Sequence, residues 1–188
     1  MAPAPALLTM RGRCTRLSSP VVFLPGLMCT SRLWAHVMGA LVDRSAAAAS
    51  RQALFLPAGG SEGAPVFSAN PHYSDSLATT ATALLASLPP GRVSVVGHSL
   101  GGYLAMEMLR QAAPGRIGRL ALVSTQPRAD SPAIQQRRRD LMAKVRLSGP
   151  LAALSPPAVL LGEAQRGDGT MWSVVQGMAN DVGAGGFA

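Results

Sequence analysis

A chain of 188 residues, 48% of them apolar, has the length and composition of one globular domain able to bury a sizeable core. Its 17 Lys and Arg against 9 Asp and Glu give a formal charge of +8, but only 4% of residues are aromatic, and the excess sits in two separate clusters, Arg11, Arg13 and Arg16, and Arg137, Arg138, Arg139, Lys144 and Arg146. Basic clusters without interleaved aromatics are solvated faces, so no nucleic-acid partner is expected; no stretch approaches the roughly 20 apolar residues of a membrane span, and Cys14 and Cys29 have neither disulfide nor zinc spacing.

Residues 1–19, with Pro3, Pro5 and little periodicity, read as a loosely ordered start or a leader. Arg, Ser and Thr occur there, but no acid precedes Asp43, a composition also found in organelle transit peptides; the expected compartment is the cytoplasm or an organelle lumen. Val21–Leu24 is a short apolar run of the kind found in a buried parallel strand, and Pro25-Gly26 breaks it. With Thr30 or Ser31 as cap, Leu33, Val37 and Leu41 recur at helical spacing. Ala53–Leu56 predicts a second strand, followed by a loop rich in Gly, Pro and Ser as far as Tyr73. Ser74 or Asp75 caps a helix carrying Leu77, Ala81, Leu84 and Leu88, which Pro89-Pro90-Gly91 stops.

Val93–Val96 is the third predicted strand, ending at Gly97, and a helix with Leu100, Leu104, Met108 and Ala112 on one stripe follows it. Leu120–Val123 is the fourth strand. Past Asp130, Ile134, Leu141 and Val145 are sparse apolar points in a basic helix that Ser148-Gly149-Pro150 ends. Pro156–Gly162 fits either a fifth strand or a segment lying over a site, and Met171–Ala179 is weakly helical. Strands alternating with helices predict the α/β class: a mainly parallel sheet with helices on both faces and right-handed crossovers. The expected division is a loose segment 1–19, an α/β core 20–129, and a helical region 130–188.

Between the third strand and its helix stands Gly97-His98-Ser99-Leu100-Gly101, which fits G-x-S-x-G. A sharp strand-to-helix turn needs glycine where a side chain would strike the neighbouring strand or helix, and it lifts Ser99 clear of the sheet at the amino end of the helix, where N–H groups favour developing negative charge. The alternative is an ordinary βα turn with Ser99 as an N-cap.

These residues, with Phe23-Leu24-Pro25-Gly26-Leu27, Arg32-Leu33-Trp34, Tyr73-Ser74-Asp75-Ser76 and Leu120–Thr125, resemble the α/β-hydrolase superfamily, in particular its small esterase-like members. The correspondence runs from Val21 to about Val145, and Met178–Ala184 resembles a stretch inside the lid of such enzymes. The resemblance implies Ser99 as nucleophile, the backbone N–H groups of Leu27 and Leu100 as oxyanion hole, Gly97 and Gly101 as elbow glycines, and a small-molecule acyl substrate. No metal-ligand spacing and no G-x-G-x-x-G after a strand occur in the sequence, so no cofactor or metal is expected. Serine at the elbow departs from the haloalkane dehalogenases and epoxide hydrolases, which carry aspartate there.

The family orders its triad Ser, acid, His, but no histidine follows Ser99; His36, His72 and His98 all precede it, and His98 is expected to pack beneath the turn. Glu163 or Asp168 would stand in as the acid if Val159–Leu161 were the strand beyond the lid. The pattern therefore implies a hydrolase cut short within the lid, lacking its C-terminal strands, with feeble activity and an uncovered edge at Leu120–Val123 open to self-association. A catalytically silent binding or regulatory protein on the same fold is the competing expectation.

Overall fold

The computed structural model describes residues 8–14, 17–42, 63–69 and 76–186. Five strands form one sheet in the order β1-β3-β2-β4-β5: β1 Leu8–Cys14, β2 Val21–Leu24, β3 Ala64–Ala69, β4 Val93–His98 and β5 Ile117–Val123. Strands β3, β2, β4 and β5 run parallel, and β1 pairs antiparallel with β3 at the outside.

The sheet is covered on both faces, and the alternation of side chains along β2 shows how. Val22 and Leu24 join Val93 and Val95 of β4 against Ala81, Leu84, Leu104 and Met108, which come from α2 (Leu77–Ser87) and α3 (Leu100–Gln111). Val21 and Phe23 face the other way, onto Trp34 of the 3₁₀ turn Ser31–Trp34 and Met38 of the helical segment 35–42, here α1. All four residues of β2 are buried, as a strand with helices on both sides requires.

The path of the chain then fixes where a ligand can sit. From β2 it crosses to β3 on one side, and from β3 it returns to β4 on the other, so β2 and β4 are neighbours whose outgoing loops diverge. In an open α/β sheet such a reversal leaves a crevice beyond the carboxyl ends of the two strands. Those ends are Leu24, leading to Leu27, and His98, leading to Ser99.

Two strands depart from the sequence expectation. β1 lies inside the segment expected to be loose, and β3 inside the expected loop to Tyr73. β1 is an edge strand with only Cys14 buried, so it needs little apolar content. In β3 only Val66 and Phe67 are large and apolar; Ser68 is fully buried, its hydroxyl satisfied by Arg11 Nε at 2.8 Å. The strand expected at Ala53–Leu56 and the caps at Ser74 and Asp75 lie outside the described residues. Helix α2 is capped by Ser76, which accepts from the Thr79 N–H.

Beyond β5 the structure is helical: α4 Pro132–Ser148, a 3₁₀ turn Pro150–Ala153, α5 Pro157–Leu160 and α6 Gly169–Val182. The either-or at Pro156–Gly162 resolves as a short helix, not a strand. Helix α4 buries only Val145, and its arginines face solvent. No helix among the described residues is long and apolar enough to cross a membrane. Strand β5 is the outer strand of the described sheet, and Leu122 and Val123, in the run expected to form an uncovered edge, are 42% and 40% exposed.

Candidate active site

Ser99 connects β4 to α3 with φ 51° and ψ −115°, a backbone conformation costing about 1–3 kcal/mol in a non-glycine residue. The surroundings over-determine it. The Ser99 N–H donates to the Val123 carbonyl of β5 at 3.0 Å, and the Ser99 carbonyl accepts from the N–H groups of Gly102 (2.9 Å) and Tyr103 (3.4 Å) and from the Thr125 hydroxyl (2.9 Å). The Ser99 side chain makes no capping hydrogen bond. An ordinary N-cap serine has extended backbone and an engaged hydroxyl; this one has neither.

The glycines around it make the corner possible. A side chain at Gly97 would strike the Gly101 carbonyl, and one at Gly101 would strike the carbonyls of Leu24 and Pro25. At Gly102 a Cβ would lie 2.5 Å from Thr125 Cγ2, and at Gly26 it would lie 2.7 Å from His98 Nδ1 and 3.2 Å from Ser99 Cβ. The loop after β2 thus abuts the corner after β4. That loop carries a second strained residue, Met28 at φ 58°, in a turn closed by the Cys29 N–H on the Gly26 carbonyl at 3.1 Å.

Leu27 and Ser99 line one cavity of about 280 Å³, with Cys29 and His98 on the sheet side and Leu154 and Met178 among the residues facing them from the helical C-terminal region. Leu100 opens α3, directly after Ser99, and is not among the residues that line the cavity. An apolar cavity with few polar groups, over a serine at a helix amino end, suits a small, mostly apolar molecule with one polar reacting centre.

His98 sets its ring edge-on to Trp34, centroids 6.3 Å apart, with Nδ1 buried and without a hydrogen-bond partner. Burial lowers its pKa, so the neutral ring is favoured. It lines the cavity as well as packing beneath the turn, but no hydrogen bond joins it to the Ser99 hydroxyl. His36 is exposed on α1, away from the cavity, and His72 lies outside the described residues.

The suggested acids do not reach the site. The strand that would have presented them is helix α5; Glu163 begins an exposed 3₁₀ turn, and Asp168 caps α6, accepting from the N–H groups of Thr170 (2.8 Å) and Met171 (3.1 Å). Cys29 also borders the cavity, and burial pushes its thiol up to about 11, which keeps it protonated at neutral pH. No cluster of three or more His, Cys, Asp or Glu among the described residues could hold a metal.

Sequence spacing did not signal Thr125, which clamps the Ser99 carbonyl and occupies the space that Gly102 leaves. Nor did it signal Arg32, which bridges to Asp181 at 2.9 Å and ties the turn after β2 to α6.

Residues 21–185 match the model of the alpha/beta hydrolase family. No curated protein matches the chain. Among solved structures, an enol-lactonase from Burkholderia xenovorans is similar at 18% identity and TM-score 0.66, over 96% of this chain and 66% of that one. An esterase from Exiguobacterium antarcticum is similar at 14% identity and TM-score 0.63, over 96% and 65%. MenH from S. aureus is similar at 18% identity and TM-score 0.53, over 74% and 50%. The chain therefore spans between half and two thirds of the length of these three proteins.

Proposed function

Because the chain belongs to the alpha/beta hydrolase family, we propose that it is a serine hydrolase that cleaves an ester, thioester or related acyl bond of a small molecule through an acyl-enzyme on Ser99. The observation that carries this reading is a serine in a strained corner whose hydroxyl caps nothing and borders a cavity. Attack of Oγ on the acyl carbon would place charge on the carbonyl oxygen, and the backbone N–H groups of Leu27 and Leu100 would receive it. Each such donor contributes about 2.7–4 kcal/mol to the transition state. The alcohol or thiol leaves with a proton, and water then releases the acid and restores Ser99. The enol-lactonase among the structural neighbours makes cyclic esters one substrate class to try.

The proton on Oγ needs a base, and all three histidines precede Ser99 in the chain. In a serine protease, loss of the base lowers turnover by about 2 × 10⁶. Weak turnover by these 188 residues alone is the corresponding expectation. The same observation favours a second reading, a catalytically silent protein that uses the cavity to bind.

A fluorophosphonate probe separates the two. Labelling of the wild-type chain that disappears in Ser99→Ala supports the hydrolase. A folded chain that resists labelling overturns it in favour of the binding protein.

A further inference from the structure

We propose that a second cavity, of about 380 Å³, between β1 and α1 binds a small organic carboxylate with an apolar tail. Its lining combines two cations and a hydroxyl, Arg11, Arg32 and Ser31, with the apolar wall of Ala35, Met38 and Val42.

The cavity is built around Arg11. Pairing of β1 with β3 shifts register between Met10 and Gly12, which leaves Arg11 as the bulged residue without a cross-strand partner. A bulge re-aims the side chain it carries. Here the guanidinium is held by two neutral hydroxyls, Ser68 Oγ at 2.8 Å from Nε and Ser31 Oγ at 2.6 Å from Nη2, and both serines are buried. No carboxylate pairs with Arg11 among the described residues, so its charge is positioned and still open to an anion. The next residue completes the wall: Gly12 has φ 148°, and a Cβ there would lie 2.9 Å from Val42 Cγ2, so α1 seats directly on the bulge.

The second cation is shared. Arg32 lines this cavity while its Nη1 donates to Asp181 of α6, the helix whose Val175 and Met178 line the Ser99 cavity. An anion between Arg11 and Arg32 competes with Asp181 for the same guanidinium. Occupancy of this site therefore loosens α6 over the other cavity. The apolar wall selects a carboxylate bearing an alkyl chain over a bare inorganic anion.

Isothermal titration calorimetry at low salt, with sodium hexanoate on the full chain, tests this. Saturable binding is expected, weakened at least about tenfold in Arg11→Gln, since a hydrogen bond between charged groups is lost. In Asp181→Asn it should tighten by about threefold, as an exposed competitor is removed. Hexan-1-ol should bind at least about tenfold more weakly than hexanoate, and inorganic phosphate more weakly as well. If Arg11→Gln fails to fold, Arg32→Gln, at a half-exposed side chain, carries the same weakening. Absence of saturable binding, equal affinity for the alcohol, tighter binding of phosphate, or affinity unchanged by the Arg variants would each overturn the proposal. None of these readouts requires Ser99 to be a nucleophile.

Discussion

The Thr125 hydroxyl donates to the Ser99 carbonyl over 2.9 Å, and the methyl of the same side chain stands where a side chain on Gly102 would have to go. One residue after β5 thus holds the strained corner from outside and excludes bulk from inside it. Removing the hydroxyl while keeping the shape isolates the first role. Thr125→Val should cost about 0.5–1.5 kcal/mol in urea denaturation, and no more, because two backbone N–H groups still serve the carbonyl. Fluorophosphonate labelling of Ser99 should slow in this variant, and labelling at the wild-type rate would separate the clamp from reactivity.

Gly101 and Gly26 both face the corner, but what they face differs. A side chain at Gly101 meets the backbone carbonyls of Leu24 and Pro25, which cannot move without pulling β2 out of register, whereas one at Gly26 meets the His98 ring and Ser99 Cβ. Gly101→Ala should therefore destabilise by at least about 1–3 kcal/mol, the usual range for overpacking. Gly26→Ala should cost less in denaturation yet depress labelling at Ser99. Equal stability losses in the two variants would contradict the difference in their neighbours.

Burial lowers the pKa of His98 from its ordinary value of 6.5. Between the folded and the unfolded value the unfolded chain binds more protons, so stability rises with pH across that window. The contribution is fully present above the ordinary histidine range and is lost as pH falls through the folded value. Melting temperature should be lower at about pH 5 than at about pH 7.5, and the difference should shrink in His98→Gln. Glu107, whose carboxyl is held down at about 2 by hydrogen bonds from Arg110 and Gln111, adds a loss of the same sign as pH falls toward the ordinary value of 4.5, and that share persists in His98→Gln.

Cys29 borders the cavity, but its thiol is pushed from 9.0 up to about 11. Only the thiolate alkylates, so at about pH 8 its reaction with iodoacetamide should run about 100-fold slower than that of an ordinary thiol. The rate should climb roughly tenfold per pH unit until about pH 11. Rapid alkylation at neutral pH would show that the cavity is wetter than its lining suggests.

The sequence made some of this plain and concealed the rest for identifiable reasons. Val21–Leu24 is a continuous apolar run and Val93–Val96 is apolar but for Ser94, both bounded by Pro or Gly, and they lie inside the sheet, where a strand has a covered face on either side. β1 and β3 escaped because an edge strand tolerates Arg11 and Arg13, and because β3 buries a serine whose partner is 57 residues away. Local composition cannot report a hydrogen bond of that range. In the candidate site the glycines were legible because their reason is local, whereas Thr125 and Arg32 act through residues 26 and 149 positions distant.

Through its amide, Ser99 is tethered to Val123, on the outermost strand of the described sheet. The Ser99 hydroxyl consequently inherits whatever steadiness that rim possesses. A strand frays from its unpaired side, so anything that zips along β5 would stiffen the serine without touching the cavity, and anything that peels β5 away would blunt it. The steadiness of position 99 is thus a gauge of how firmly the border of the sheet is held.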